Sequence, residues 1–247
     1  MQKTLDFLTP TQALIITSLM AIGLYLDACI PVWGQIGVSL FFWALLWFLY
    51  QRAATIERFM LMSCLVLATL GEIFCSLVWG LYDYRFFNIP HYVPPGHVLL
   101  FLVGSVLALK LPHWISYLVP LLALPYMIAG VWLGFDQFGL VLFLMFTACW
   151  FSGIERRLFS TMFLLSLCLE IYGTWLGNWT WRPIVPYWDL SNTNPPLASG
   201  AFYCILDFLV LLLLRTQNRI PHALAKNTRH SVHASSPSLV LVTDSCS

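Results

Sequence analysis

Residues 56–85 read IERFMLMSCLVLATLGEIFCSLVWGLYDYR, and residues 154–182 read IERRLFSTMFLLSLCLEIYGTWLGNWTWR. Each stretch opens on Ile-Glu-Arg, runs through about 20 mostly apolar residues, the length that crosses a hydrocarbon core, and closes on two aromatics and an arginine. The apolar residues do not alternate with period two, which disfavours a transmembrane β-barrel. A helix satisfies its backbone polar groups internally, as lipid requires. Both stretches are therefore expected to be membrane-spanning helices.

The rest of the chain follows the same pattern. It is 60% hydrophobic and 9% charged, whereas a soluble domain averages about 45–50% apolar and about 25% charged residues. A soluble fold, a disordered chain and a nucleic-acid binder are excluded on that ground. Eight apolar runs are candidate spans: Thr11–Ile30, Val32–Tyr50, Phe59–Leu81, Gly96–Leu109, Trp114–Leu133, Phe138–Gly153, Leu158–Trp179 and Leu197–Leu214. The fourth and sixth are short, so seven spans is the alternative count. The expected fold is an all-α polytopic membrane protein, with a helical bundle over 1–214 and a tail over 215–247.

Basic residues orient such a bundle, because cytoplasmic loops carry the excess of Lys and Arg. With eight spans, Lys3, Arg52, Arg58, Lys110, Arg156, Arg157, Arg215, Arg219, Lys226 and Arg229 fall on one side, and only Arg85 and Arg182 on the other. Both termini are expected to be cytoplasmic, and the host membrane a bacterial inner membrane. Met1–Pro10 carries no tripartite signal, so the first run is expected to be a retained span. The segment after Leu214 is rich in Ser, His, Asn and basic residues and is expected to be a flexible tail, able to recruit a protein partner. Its Cys246 is not placed for a prenylation signal. The cysteines Cys64, Cys75, Cys149, Cys168 and Cys204 lie within spans without metal-like spacing, and are read as packing residues.

The two opening stretches also match each other. Ile56-Glu57-Arg58 aligns with Ile154-Glu155-Arg156, and Glu72-Ile73-Phe74 with Glu170-Ile171-Tyr172, at an offset of 98. One residue then slips, and Gly80-x-Tyr82-x-Tyr84-Arg85 matches Gly177-x-Trp179-x-Trp181-Arg182 at an offset of 97. Each copy leads to a proline pair, Pro94-Pro95 or Pro195-Pro196, expected to open the next span. Rare residue types recurring in order point to a duplication, with repeat one over about 11–110 and repeat two over about 114–214. Four spans per repeat keep both halves in one orientation, as parallel repeats.

Chemistry is sought first among the acids within spans: Asp27, Glu72, Glu170 and Asp207. An ionised group at mid-bilayer costs about 2.5–3.5 kcal/mol, so such residues face the bundle interior. Glu72 and Glu170 occupy equivalent positions and are the candidate catalytic pair. Two carboxylates sharing a low-dielectric site repel, so one is expected to be neutral and able to donate a proton. Asp27 and Asp207 are candidates for the same cavity. Tyr82, Tyr84, Trp179 and Trp181 most simply form an interfacial aromatic belt; their period-two spacing also allows an extended segment at a cavity mouth. Arg85 and Arg182 most simply reach lipid phosphate, or else bind an acidic partner or a substrate head group. His97 is favoured over His91 as a binding residue of the first outer loop. Asn178-Trp179-Thr180 formally matches a glycosylation acceptor, but abuts the membrane. No metal site or cofactor is expected, since metal-ligand spacings, Walker, dinucleotide and haem motifs are all absent from the sequence.

The pattern Glu-x7-Gly-x-Tyr-x-Tyr at Glu72–Tyr84, echoed at Glu170–Trp181, resembles that of membrane-embedded carotenoid-modifying enzymes, the carotenoid hydratases and small heterodimeric-type lycopene cyclases. The resemblance covers two stretches of about a dozen residues, and the second copy carries Trp where the family pattern favours Tyr. It implies a polytopic, aromatic-rich bundle whose acids face an apolar tunnel, with Glu72 and Glu170 protonating a polyene double bond. The sequence leaves three functions open: acid-base chemistry on, or binding of, an apolar isoprenoid-type lipid; a small transporter or channel around a central carboxylate site; and a non-catalytic membrane assembly protein. Expected partners are membrane lipids and an apolar substrate, with no nucleic acid.

Overall fold

The computed structural model describes residues 8–234, with side chains through residue 217. Eight α-helices run in chain order: α1 Pro10–Cys29, α2 Trp33–Arg52, α3 Thr55–Glu72, α4 Val93–Lys110, α5 Ile115–Trp132, α6 Gln137–Phe151, α7 Arg156–Trp175 and α8 Gly200–Ala234. Two short strands, β1 Tyr82–Tyr84 and β2 Trp179–Trp181, interrupt the series. Seven helices are long and apolar enough to cross a membrane, which makes this an all-α, multi-pass membrane protein. Large apolar side chains face outward on these helices, among them Leu14, Trp47, Leu121 and Trp132, as a lipid-facing surface requires. The eighth helix, α6, has 15 residues and rises only about 22 Å, short of the roughly 30 Å hydrocarbon core.

The expected fourth span is longer than its apolar run suggests, because Val93, Pro94 and Pro95 form the first turn of α4. The second proline pair behaves differently. Pro195-Pro196 lies in the loop ahead of α8, which begins only at Gly200. The expectation that each pair opens a span thus holds for one copy alone. The tail expected from Arg215 begins within α8, and its last part, 235–247, lies outside the described residues.

Helices α3, α4, α7 and α8 form a central ring, α3 and α7 each packing on both α4 and α8. The α1–α2 hairpin rests on α4, and the α5–α6 hairpin on α7 and α8. The Ile-Glu-Arg triplets pin these hairpins to the ring. Arg58 Nε donates to the carbonyls of Tyr50 and Ala53 at 3.1 and 3.0 Å, and Arg156 Nε to that of Trp150 at 3.3 Å. Each arginine so satisfies carbonyls at or just past the end of the preceding helix, where a cation is favoured. Glu57 accepts from the Ala54 N–H at 2.6 Å, supplying a partner at the start of α3.

Both long inner helices then end in the same way. Gly80 and Gly177 each have φ +73°, a left-handed conformation that side chains resist and glycine tolerates. The Asn178 N–H closes the turn of α7 on the Gly173 carbonyl at 2.9 Å, a Schellman cap. In the first copy the Leu81 N–H reaches the Cys75 carbonyl at 2.9 Å, one residue further back. The extra residue is taken up in a π-helical segment, Ile73–Val78, that continues α3. The slip between offsets 98 and 97 is therefore a π-bulge, a common device at functional sites.

Past the glycines the chain becomes extended. β1 and β2 pair antiparallel, with Tyr82 opposite Trp181, Asp83 opposite Thr180 and Tyr84 opposite Trp179. The Arg85 N–H donates to the Asn178 carbonyl at 3.0 Å, and the Arg182 N–H to the Leu81 carbonyl at 2.9 Å. Tyr82, Tyr84, Trp179 and Trp181 are buried, while Asp83 and Thr180 are not. The aromatics are not an interfacial belt: strand alternation turns all four inward, over the ring of helices.

Candidate functional site

Glu72 ends α3, and both of its carboxylate oxygens are engaged. Oε2 accepts from the hydroxyls of Tyr82 and Tyr84 at 2.9 and 2.7 Å. Oε1 lies 3.3 Å from His97 Nε2, which α4 presents one turn into the helix. Glu170, on α7, is built the same way with different chemistry. Its Oε2 accepts from the indole N–H groups of Trp179 and Trp181 at 2.8 and 3.0 Å, and its Oε1 from the Tyr203 hydroxyl at 3.1 Å. Burial, and secondarily Glu72 beside them, pushes the Tyr82 and Tyr84 phenols well above their ordinary range, so both keep their protons and donate.

The two halves meet at a stacked pair. The His97 and Tyr203 rings are nearly parallel, 8° apart in plane, with centroids separated by 4.8 Å. Across the strands, Tyr82 lies against Trp181 at 4.8 Å and Tyr84 against Trp179 at 6.1 Å. The two glutamates thus share one aromatic-walled centre, each with three polar partners.

Two cavities adjoin this centre. One extends toward α1, α2 and α4 past Met20, Leu24 and Phe42. The other, which is larger, extends between α3, α6 and α8 past Leu67, Met145 and Leu206. Glu72, Glu170, Tyr82, His97 and Tyr203 line both. The larger cavity also reaches Phe74 and Leu209, side chains 52% and 38% exposed on the lipid-facing surface. A groove of about 1040 Å³ runs outside, past Val66, Leu70, Ile73 and Pro90, and touches Glu72 as well.

The remaining expected site residues lie elsewhere. Arg85 does not point to lipid headgroups. Its Nη1 donates to the carbonyls of Asp27 and Ala28 at 3.0 and 3.1 Å, and its Nη2 donates to Asn178. It caps the carboxyl end of α1, where the helix dipole favours a cation. Arg182 forms a two-pronged pair with Asp83 at 3.1 and 3.2 Å, half exposed and outside both cavities. Asp27 accepts from the Tyr92 hydroxyl at 2.9 Å and has Arg85 Nη2 at 3.9 Å, so it belongs to the same structural clamp. Asp207 is fully buried in α8, with neither oxygen hydrogen-bonded, and lines neither cavity. Asn178 is 2% exposed and donates to the Leu24 carbonyl at 3.0 Å, so it is buried structure and no acceptor for a glycan. Tyr203 and Tyr92 carry polar contacts that the sequence did not single out. Tyr203 was hidden because Pro95 precedes His97 by two residues and Pro196 precedes Tyr203 by seven; counted from the helix starts, both lie one turn in. Among the described residues no group of three His, Cys, Asp or Glu side chains is placed to hold a metal ion.

No family model matches the chain, and comparison with curated proteins and with solved structures returns no match.

Proposed function

We propose that this protein performs acid-base chemistry on an apolar isoprenoid-type lipid that enters from the bilayer, using Glu72 and Glu170 at the junction of the two cavities. The observation that carries this is the paired site: two buried carboxylates, each within hydrogen-bonding distance of its aromatic donors, facing the same mostly apolar space. The outer groove and the lipid-side wall of the larger cavity support entry from the membrane rather than from water. A bound polyene would meet a carboxylic acid on one side, a carboxylate on the other and aromatic faces above, which attract a cation.

The step balances without an oxidant. The acid proton adds to one alkene carbon, and the π pair becomes the new C–H bond. The other carbon becomes a cation, which loses a neighbouring proton to the carboxylate or is captured by a water whose extra proton goes to the carboxylate. The product is equal in mass to the substrate or heavier by one water, and the collected proton passes back to the acid. The resemblance of Glu72–Tyr84 and Glu170–Trp181 to carotenoid-modifying enzymes favours a polyene as the substrate.

The bundle is read as two parallel four-helix repeats with both termini cytoplasmic, in a bacterial inner membrane. The matching left-handed glycines, the reciprocal strand register and the basic residues at cytoplasmic loops support that arrangement. Lipid mass spectrometry of cells with and without the protein tests the function. One isoprenoid lipid should be depleted and its isomer or hydrate formed. Glu72→Gln and Glu170→Gln should each remove that change by roughly 10²–10⁴-fold, the usual contribution of a general acid or base, while the protein stays folded. Full activity in both variants would end the proposal.

A further inference from the structure

We infer that the two glutamates have different roles in the resting site: the proton to be delivered resides between Glu72 and His97, and Glu170 is the carboxylate, held by Trp179, Trp181 and Tyr203, that accepts one during turnover. The inference rests on Glu72 and Glu170 forming one site, as proposed above, and assigns the acid and the anion within it.

The first half of the argument is a tautomer. His97 Nδ1 lies 3.0 Å from the Val93 carbonyl, and a carbonyl oxygen only accepts, so Nδ1 carries a hydrogen. A neutral ring then has its lone pair on Nε2, which lies 3.3 Å from Glu72 Oε1. Two lone pairs facing each other at that distance repel. One proton therefore lies on the line between them, either as a carboxylic acid donating to imidazole or as an imidazolium beside a carboxylate. The nearly parallel Tyr203 ring favours the charged ring by cation–π attraction, so the proton can rest at either end. Tyr82 and Tyr84 occupy the other oxygen of Glu72 as donors in both forms.

The second half is a count of acceptors at Glu170. An indole N–H can only donate, so Trp179 and Trp181 both require Oε2 as a lone-pair acceptor. Tyr203 supplies a donor to Oε1. A proton on Oε1 would take up a lone pair of the oxygen to which Tyr203 donates and weaken that bond. Among the described residues no histidine pairs with Glu170; Tyr203 stands one turn into α8 as His97 stands one turn into α4. The exchange of Tyr for Trp in the strand and of His for Tyr in the helix thus makes one of the two carboxyls the anion of the resting site. Trp179, Trp181 and Tyr203 are positioning residues acting through Glu170; Glu72 and His97 are the proton-carrying pair.

Nuclear magnetic resonance of the full-length protein in nanodiscs, with 15N-labelled histidine, tests this without substrate, so it stands or falls separately from lipid turnover. The His97 signals are assigned by their loss in His97→Gln. The expected spectrum has a protonated Nδ1 and an Nε2 shifted by a strong shared hydrogen bond. Glu72→Gln should move Nε2 to the position of an ordinary neutral imidazole, and Glu170→Gln should leave it in place. An Nε2 that ignores Glu72→Gln, or follows Glu170→Gln as strongly, would overturn the assignment. Infrared spectroscopy of 13C-glutamate-labelled His97→Gln gives a readout that does not need Glu72→Gln to fold. With the ring removed, a carboxylic-acid band from Glu72 should persist, and should survive the addition of Glu170→Gln. Loss of that band in the double variant would place the proton on Glu170 and contradict the inference.

Discussion

Gly173 lies beneath the indole of Trp179, where an added Cβ would overlap the ring itself. The missing side chain is what lets Trp179 lie against α7 and reach Glu170. Gly173→Ala should displace the indole and strip Glu170 of one donor, at a cost of about 1–3 kcal/mol from overpacking and the unmet hydrogen bond. Thermal unfolding in detergent and the tryptophan emission spectrum measure both effects; an unchanged Tm and spectrum would mean the ring is not held there. At this scale much of the site was legible. Glu72, Glu170 and their four strand aromatics stood out because charged and aromatic residues recurred in order. Arg182 has an acidic partner, Asp83, one of the readings left open, whereas Arg85 is spent on helix-end carbonyls, because sequence shows that a cation lies past a helix end but not which carbonyls lie within its reach. Asp27 fell to the same clamp. Asp207 has no partner to reveal its place, and nothing in its own span set Tyr203 apart from Phe202 and Phe208.

The element that most separates the two copies is the π-helical segment Ile73–Val78, which absorbs one extra residue between Glu72 and Gly80. The second copy spans the same step without it and still brings its glutamate to its strand. Deleting Leu77, a lipid-facing residue of that segment, should therefore straighten the bulge into an α-helix and leave the protein folded. Deleting Val66 in the regular part of α3 should be far worse, since it rotates one half of the helix against the other by about 100°. Size-exclusion profiles and melting temperatures of the two deletions decide the matter. Equal damage from both would contradict the account of the bulge. The helices themselves were readable from apolar length. Their ends were not: the third and seventh spans appeared to run on to Leu81 and Trp179, because aromatic and apolar residues continue while the backbone turns at Gly80 and Gly177 and becomes strand.

At the scale of the whole molecule, eight helices place two hairpins around a ring of four, and the strand pair closes the ring over an apolar space with polar groups at its centre. That arrangement suits a long apolar molecule better than an ion, because both cavities have mostly apolar and aromatic walls and share only Glu72, Tyr82, His97, Glu170 and Tyr203. Composition announced the membrane. It could not announce the cavities, which depend on side chains from helices distant in sequence. The most direct test of proton donation to a lipid is turnover in heavy water. Membranes carrying the protein, incubated in D2O with the isoprenoid lipid it depletes, should yield product with one deuterium on carbon per turnover, and Glu72→Gln should yield none. Product formed at the normal rate without deuterium, or labelled equally by Glu72→Gln, would contradict the account.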